Sequence, residues 1–362
     1  MAHRCYIVPP HILRHKGQYG EHEGLRAHAN RTLEFDQARR SKSQTAVALQ
    51  GERPQKDSPA ERFLHNARHN FNEADLPGEL IRKEGEGPVP DNAVNEAYDN
   101  VGIVLDFYKE HFGWKSFDNK NHDVTSTVHF GEEYENAFWD PEKRQMVFGD
   151  GDEFLNNFTG CIDVIAHEIT HAVTDNGSPL DYWGMSGALN EHISDVFGIM
   201  VKQKVQNEKA GVADWLIGED CILPGVKGTA LRSMKAPGKA YDDPKFGKDP
   251  QVAHMSEYKA MFEDNGGVHI YSGIPNKAFY LVSVAFTGYS WEKAGQIWWK
   301  SLRSGRIPRK CTFEQFANVT LDVAVKEFSE DAKAKVQKAW VEVGVLKGAD
   351  RPKIPKDWCN FL

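Results

Sequence analysis

The sequence predicts an α+β fold with two lobes, a β-rich N-terminal lobe and a helical C-terminal lobe. Short apolar runs separated by glycine turns lie between positions 120 and 150, whereas the chain after about 176 is apolar at helical spacing. The chain has 362 residues, 40% hydrophobic and 27% charged, which is enough for two sizeable cores. No run of eighteen apolar residues occurs, so we expect no transmembrane helix.

The first fifty residues differ from the rest in charge. They contain eight Lys and Arg against four Asp and Glu, a net of +4, whereas the remainder has 36 against 48, a net of −12. Opposite charges favour docking of this segment onto the body. We predict a short extended piece at Cys5–Leu13, a basic helix at 25–40 and a polar linker at 41–59. The helix lacks a cluster of basic residues on one face, so we predict no nucleic-acid or membrane partner.

The N-terminal lobe is predicted to span about residues 60–175. It begins with two helical stretches, of which Ala93–Phe112 is the clearer. Strands follow near 124–130, 136–139 and 145–148, with glycine turns between them. A helix from about Asp163 to Thr174 ends this lobe and leads into the next.

The C-terminal lobe, residues 176–362, is predicted to be helical. Thr312 with Gln315, and Ser329, offer side chains that can cap helix N-termini. The predicted helices are 188–206, 273–287, 291–302, 312–328 and 330–343.

His167, Glu168 and His171 form an H-E-x-x-H motif on the predicted helix between the lobes. Side chains four positions apart share a helix face, so the two imidazoles can bind one metal ion while Glu168 lies beside it. Zinc accepts neutral imidazole ligands and lowers the pKa of a bound water to about 7. The motif therefore predicts a zinc hydrolase with Glu168 as general base, the alternative being an exposed helix face.

Asn190, Glu191 and Asp195 lie on the following predicted helix, with the two carboxylates four positions apart. Glu191 has the position of a third zinc ligand. Metal-bound histidines usually donate their second ring N–H to an oxygen acceptor, so we assign Asp195 to one histidine and Asn190 to the other. The alternative for Asp195 is a surface charge.

Four blocks of the sequence resemble the signature blocks of the thermolysin family of neutral zinc metalloproteases, whose zinc site is known to consist of two histidines and a glutamate. They follow one another in family order over about 140 residues, and a looser resemblance runs from about Glu61 to the C-terminus. The blocks are 136–139 (NAFW), 167–175 (HEITHAVTD), 187–198 (GALNEHISDVFG) and 264–269 (DNGGVH).

The resemblance implies roles for four polar residues. Tyr182 and His269 resemble the pair that stabilises the oxyanion of the tetrahedral intermediate, and both can donate hydrogen bonds. Asp264 resembles the carboxylate that orients this histidine, and Arg232 the arginine that binds the substrate carbonyl. The alternatives are a packed aromatic ring for Tyr182 and a solvated charge for Arg232.

The resemblance also implies a substrate-binding edge. Asn136 and the backbone of Ala137 resemble the groups that hold the main chain of an extended peptide, although Asn136 could be a turn residue. Four apolar residues match the family pocket for the side chain after the scissile bond, and plain core packing is their alternative. They are Leu155, Phe158, Val164 and Leu231.

Together these residues imply a zinc endopeptidase that cleaves on the amino side of bulky hydrophobic residues. Glu168 would take the proton of the attacking water and later return it to the leaving amine. Two other functional classes are alternatives. A metallo-aminopeptidase would want a carboxylate that binds the free amine, which block 136–139 lacks, and a silent zinc-containing binding module would be expected to have lost Glu168, Tyr182 or His269.

The family's paired calcium site is predicted to be absent. Asp163, Asp214 and Glu219 match its acidic ligands, but two further ligand positions read Lys202 and Leu216. Lysine cannot coordinate a hard cation, whereas its ammonium can neutralise the same carboxylates.

Residues 1–50 resemble the short propeptide of protealysin-like members, followed by a cleavable linker to about residue 60. We expect Pro9–Leu13 to occupy or cover the active cleft, the alternative being a loosely attached tail. Among five cysteines without a close pair, Cys5 is expected to be an ordinary buried thiol, the alternative being that its thiolate caps the open zinc position. The partners implied are peptides, proteins and the propeptide itself.

The family resemblance favours an extracellular enzyme. His3, Arg4, Pro9 and Pro10 interrupt the apolar stretch that a classical signal peptide would need, so we expect a secretion route without one. Accumulation in the cytoplasm is the alternative. The enzyme is expected to be a monomer.

Overall fold

A computed structural model of the chain describes residues 5–42 and 54–347, with only the backbone at 40–42. It has the predicted two lobes, a β-rich N-terminal lobe and a helical C-terminal lobe, with the H-E-x-x-H helix between them. The predicted fold class is thereby confirmed. Within the described ranges, no helix is long and apolar enough to cross a membrane.

The N-terminal lobe contains a five-stranded sheet. Its strands are β1 (Arg62–Asn66), β2 (Glu79–Lys83), β3 (Val124–Val128), β4 (Ala137–Asp140) and β5 (Gln145–Phe148). They lie in the order β2-β1-β3-β5-β4; β3 is parallel to β1 and β5, and the outer strands are antiparallel to their neighbours. The three predicted strands are present, and β4 is an edge strand of the sheet.

Helix α3 (Asn92–Phe112) packs on this sheet, close to its predicted bounds. The Asp91 side chain caps its N-terminus by accepting from the backbone N–H groups of Ala93 and Val94, and Gly113 ends it in the left-handed conformation. In the described part of 60–159, α3 is accompanied only by single 3₁₀ turns. The second helical stretch predicted for this lobe was therefore wrong.

Helices α4 (Ile162–Gly177) and α5 (Gly184–Gln206) pack against each other at the centre of the molecule. Every residue of α4 from Ile162 to Thr174 is buried, because the helix lies between the sheet and α5. Helix α5 begins four residues before its predicted start. A Cβ at Gly187 would come within 2.5 Å of a Val268 methyl group, so a glycine is required where α5 meets the next helix.

As far as residue 347, the C-terminal lobe contains five further helices, α6 (Glu263–Tyr271), α7 (Gly273–Phe286), α8 (Lys293–Leu302), α9 (Phe313–Glu327) and α10 (Glu330–Glu342). Four of them lie within two residues of their predicted bounds. Thr312 and Gln315 form the capping box of α9, and Ser329 caps α10. Helix α6 was not predicted, because the turn-forming run 264–267 at its start is left-handed and conceals the helical turns that follow.

Two short antiparallel ribbons connect these layers, β6 (Leu216–Ile217) with β7 (Arg232–Ser233), and β8 (Asp242–Asp243) with β9 (Gly247–Lys248). Near the first ribbon, the sulfur atoms of Cys161 and Cys221 lie 2.6 Å apart, both fully buried. The sequence contained no signal for this contact, because the two residues are separated by 60 positions.

The N-terminal segment packs on the body as two helices, α1 (Pro10–Tyr19) and α2 (Glu23–Lys42). The prediction of an extended piece as far as Leu13 was wrong from Pro10 onward, because proline is well suited to the first position of a helix. Ile7, Val8, Ile12 and Leu13 belong to the same buried cluster as the core of the body. Of the predicted linker, residues 43–53 lie outside the described residues.

Candidate active site and metal centre

Three of the predicted metal ligands converge. His167 Nε2 lies 3.0 Å from His171 Nε2 and 3.4 Å from Glu191 Oε2, and His171 Nε2 lies 3.6 Å from Glu191 Oε1. Ligands bound to zinc at 2.0–2.1 Å in a tetrahedron lie about 3.3 Å from one another. Helix α4 holds the histidines one turn apart and α5 holds the glutamate opposite them, so this spacing fits a zinc ion.

The outer ring nitrogens show that a cation suits these residues. His167 Nδ1 donates to Asp195 Oδ1 at 2.9 Å, and His171 Nδ1 donates to Asn190 Oδ1 at 2.7 Å. In neutral imidazoles this leaves lone pairs on both Nε2 atoms, which face each other. Glu191 Oε2 is buried without a hydrogen-bond partner among the described residues. Three potential electron-pair donors this close together suit a shared cation, and the predicted arrangement of Asp195 and Asn190 is present.

Glu168 lies beside the ligands with one oxygen held and one free. Its Oε2 accepts from the backbone N–H of Trp139 at 3.0 Å, whereas Oε1 has no hydrogen-bond partner in the described chain. Burial raises the pKa of this carboxyl to about 8. The Trp139 contact was not predicted, because it comes from the backbone and has no side-chain signal.

Tyr182, His269 and Asp264 border the metal centre. The Tyr182 hydroxyl donates to Glu191, and His269 Nε2 lies 3.4 Å from Glu191 Oε2. Asp264 accepts two hydrogen bonds from His269, one from Nδ1 at 2.7 Å and one from the backbone N–H of His269 at 2.9 Å. Asp264 reaches this position because the left-handed run 264–267 folds the chain back before α6 turns helical.

Arg232 on β7 donates to both oxygens of Asp195, at 2.8–3.2 Å. Although burial opposes it, the charge of Arg232 holds the pKa of Asp195 below its usual range. Asn276 donates to Asp195 Oδ2 at 2.9 Å, and His192 donates in turn to Asn276. These last two residues were missed, since Asn276 lies on α7, far from the motif in sequence, and His192 is linked to Asp195 only through Asn276.

The N-terminal segment, which resembles a propeptide, lies along edge strand β4. Ile7 N donates to Ala137 O at 3.3 Å, Val8 N donates to Asn136 Oδ1 at 2.9 Å, and Asn136 Nδ2 donates to Val8 O at 3.2 Å. Asp36 of α2 also accepts from Asn136, at 2.8 Å. The predicted substrate-binding groups on Asn136 and Ala137 therefore hold the main chain of the propeptide.

Two propeptide carbonyls meet the predicted catalytic groups. His269 Nε2 donates to Tyr6 O at 2.9 Å, and Arg232 donates to Ile7 O at the same distance. The segment that bonds to these groups is thus Tyr6–Val8, and the predicted segment Pro9–Leu13 follows it into α1, where His11 lies near Asp264 and His269. Proline lacks the N–H that pairing with the edge strand requires, which explains why the contact ends at Pro9.

Cys5 lies at the metal centre. It is 1% exposed, packs with Tyr182 and Val268, and its sulfur lies within 4.8 Å of ligand atoms of His171 and Glu191. His69, His129 and Asp150 form another group of potential ligand atoms within 4.8 Å of one another.

The four apolar residues predicted to form the substrate pocket are all buried in the main core cluster, together with Ile7. Leu155 pairs through its backbone with Ile222, and Leu231 donates its N–H to Ile217 O, so both flank the β6–β7 ribbon that carries Arg232.

Lys202 occupies the predicted ion-pair cluster. Its Nζ lies 2.9 Å from Glu219 Oε2, 3.3 Å from Asp214 Oδ2 and 3.1 Å from the backbone oxygen of Leu216. Asp163, one turn ahead of the zinc ligands, accepts from the Gly218 N–H at 2.8 Å. The lysine thus lies among the carboxylates that the resemblance had matched to calcium ligands.

Comparison with known proteins identifies the family. Residues 15–175 match the family "Thermolysin metallopeptidase, catalytic domain", and residues 178–345 match "Thermolysin metallopeptidase, alpha-helical domain". An extracellular metalloprotease of Pectobacterium carotovorum subsp. carotovorum is 43% identical over 353 residues, 94% of this chain and 96% of that protein. Protease PrtS of Photorhabdus sp. (strain Az29) is 48% identical over 277 residues, 76% of this chain and 74% of that protein.

A solved structure is similar over nearly the whole chain. The precursor of protealysin, a metalloproteinase from Serratia proteamaculans, superimposes with a TM-score of 0.85 at 43% identity and covers 94% of this chain and 100% of its own. The family, the fold and the enzyme class predicted from the sequence are thereby confirmed. The chain belongs to the thermolysin family and is a zinc metalloendopeptidase of that family.

Proposed function

We propose that His167, His171 and Glu191 bind the catalytic zinc, and that Glu168 is the general base for hydrolysis of peptide bonds. The observation that carries this assignment is the convergence of three electron-pair donors beside a buried carboxylate oxygen without a partner. Bound zinc supplies Lewis-acid activation of the water and of the scissile carbonyl. Glu168 takes the proton of the attacking water and returns it to the leaving amine.

The propeptide contacts support the roles of the surrounding residues. His269 already donates to the carbonyl of Tyr6, in the position where an oxyanion would form, with Tyr182 nearby and Asp264 orienting the imidazole. Arg232, Asn136 and Ala137 hold the next residues of the chain. Tyr6 therefore corresponds to the substrate residue before the scissile bond, and Ile7 and Val8 correspond to the first and second residues after it.

The preference for a bulky hydrophobic residue after the scissile bond is supported by Ile7. Its side chain is fully buried in the same cluster as Leu155, Phe158, Val164 and Leu231. Such a pocket gains free energy from each buried methylene group. We propose that these four residues form its walls.

An assay of an internally quenched peptide, with and without a zinc chelator, tests the function. Hydrolysis within a peptide that has both ends blocked, and its loss with the chelator, supports the endopeptidase. A need for a free amino terminus would point to an aminopeptidase, and no turnover in either condition to a silent binding module. Both alternatives are disfavoured by the relatives and by the retention of Glu168, Tyr182 and His269.

We further propose that residues 1–50 are an inhibitory propeptide and that a linker extends from it to about residue 60. The enzyme body then consists of two lobes, residues 60–175 and 176–362. The hydrogen bonds of the propeptide with Asn136, Arg232 and His269 favour inhibition over the alternative of a loosely attached tail. The extracellular relatives support secretion of the enzyme, with cytoplasmic accumulation as the alternative. We propose that it acts as a monomer on peptides and proteins.

The Cys5 thiolate is proposed to be the fourth zinc ligand in the precursor. The cobalt-substituted full-length protein should then absorb in the near ultraviolet through thiolate-to-metal charge transfer. Cys5→Ser should lack this band, whereas Cys311→Ser, which changes a buried thiol remote from the motif in sequence, should retain it. An unchanged band in Cys5→Ser would contradict the ligand.

The paired calcium site is proposed to be replaced by Lys202. We expect the melting temperature to be unchanged, within about a degree, when calcium is removed by EGTA under zinc-buffered conditions. Lys202→Met should cost about 1–3 kcal/mol of stability, because three oxygen acceptors lose their cation. The control Lys300→Met removes only an exposed ion pair with Glu327 and should have little effect. Marked stabilisation by added calcium would refute the replacement.

A further inference from the structure

Lys16 of the propeptide buries its ammonium group between two carboxylates of the enzyme body. Nζ contacts Glu135 and lies 2.6 Å from Asp152 Oδ2, and all three side chains are at most 2% exposed. The rings of Phe154 and Phe246 lie 5.6 and 5.9 Å from the ammonium nitrogen. An acidic pair with aromatic walls is suited to a cationic side chain.

In the precursor the two carboxylates are matched to this cation. Glu135 is fully buried, and its Oε1 has no hydrogen-bond partner among the described residues. Burial raises the pKa of Glu135 to about 7, even though the charge of Lys16 opposes the shift. Asp152 is held in place, because its Oδ1 accepts from the backbone N–H groups of Phe154 and Leu155, each at 2.8 Å. Departure of the propeptide therefore removes the cation from these two carboxylates and opens the site to another cationic side chain.

The location of this pair connects it with the substrate cleft. Glu135 immediately precedes Asn136, which holds the main chain at Val8. The backbone N–H of Asp152 donates to the oxygen of Leu155, a proposed wall of the pocket after the scissile bond. Lys16 follows Val8 in the chain, so the acidic pair lies toward the end of the cleft that receives substrate residues after the scissile bond.

We propose that Glu135 and Asp152 form an acidic subsite in the processed enzyme, which binds a lysine or arginine side chain of the substrate downstream of the scissile bond. This inference rests on the proposed function, because it takes the propeptide to occupy the cleft in the direction of a substrate. Lys16 then acts in the precursor as a substitute for that basic side chain.

The test uses enzyme that has folded at full length and then been processed, with loss of residues 1–50 verified by mass spectrometry. Internally quenched peptides have a leucine after the scissile bond and carry Lys, Arg, Met or Glu in turn at the second to sixth positions after it. At one position we expect kcat/KM to be about tenfold higher for Lys and Arg than for Met, and lowest for Glu. The preference should weaken as salt is raised.

Variants assign the preference to the acidic pair. Glu135→Gln and Asp152→Asn should each reduce the ratio of kcat/KM between the Lys and Met peptides toward one. The matched control Glu153→Gln changes an adjacent exposed carboxylate and should retain the full ratio. Equal rates for Lys and Met at every position would overturn the subsite while leaving the peptidase assignment intact. Absence of hydrolysis of every peptide would overturn the proposed function and the subsite together.

Discussion

Glu168→Gln is expected to lower kcat/KM for peptide hydrolysis by about 10³-fold or more while zinc stays bound. Glutamine has the shape of glutamate, and its amide oxygen can still accept from the Trp139 N–H. It cannot take a proton from the attacking water. His167, His171 and Glu191 are unchanged, so the metal content should remain one zinc per chain.

The measurement compares the two proteins after the same external protease has removed residues 1–50. Initial rates on a quenched peptide give kcat/KM, and elemental analysis gives zinc per chain. Glu153→Gln, an exposed change of the same chemistry, serves as the control and should retain full activity. Hydrolysis by Glu168→Gln at the parental rate would remove Glu168 from the role of base, and loss of zinc would give it a structural role instead.

The intact chain is expected to be at least about 10²-fold less active than the processed enzyme. A tethered segment competes with substrate at an effective concentration on the order of millimolar. Tyr6, Ile7 and Val8 use the hydrogen bonds of His269, Arg232 and Asn136, which a substrate would also need. A segment with an intrinsic Kd of about 10 µM would then suffice for this degree of inhibition.

Activity should be followed on a quenched peptide while mass spectrometry records the fraction of chain still intact. Ile7→Asp in the full-length chain should raise its activity toward the processed level, because it places a charge in a fully buried apolar position. Glu34→Gln alters an exposed residue of α2 and should leave the precursor inhibited. Equal activity of intact and processed chains would exclude an inhibitory role for the propeptide.

Local spacing accounts for the parts of the site that could be predicted. Residues four apart on a helix share a face wherever the helix is placed, so the convergence of His167 and His171 follows from the motif. The same holds for Glu191 and Asp195 on α5. The helical C-terminal lobe was also predictable, because long apolar periodicity and capping residues such as Thr312 are local signals.

Contacts between distant segments were not predictable in this way. The Lys16 site unites residues from α1, from the loop before β4 and from the loop after β5, and none of them carries a signal by itself. The Trp139 N–H on Glu168 and the chain from Asp195 through Asn276 to His192 are of the same kind. Lys202 lies between the predictable and the unpredictable contacts. The family resemblance identified its acidic neighbours, and the structure supplied the distances to them.

The sequence by itself determined the family and the two-lobed fold of this protein and predicted its metal-binding residues, because each depends on patterns within one element or on blocks in a recognisable order. Only the tertiary structure decided which propeptide residues enter the cleft, how Cys161 meets Cys221, and where two buried carboxylates share one lysine. Such contacts depend on how separate elements pack in space, and packing brings together residues whose separation along the chain carries no periodic signal.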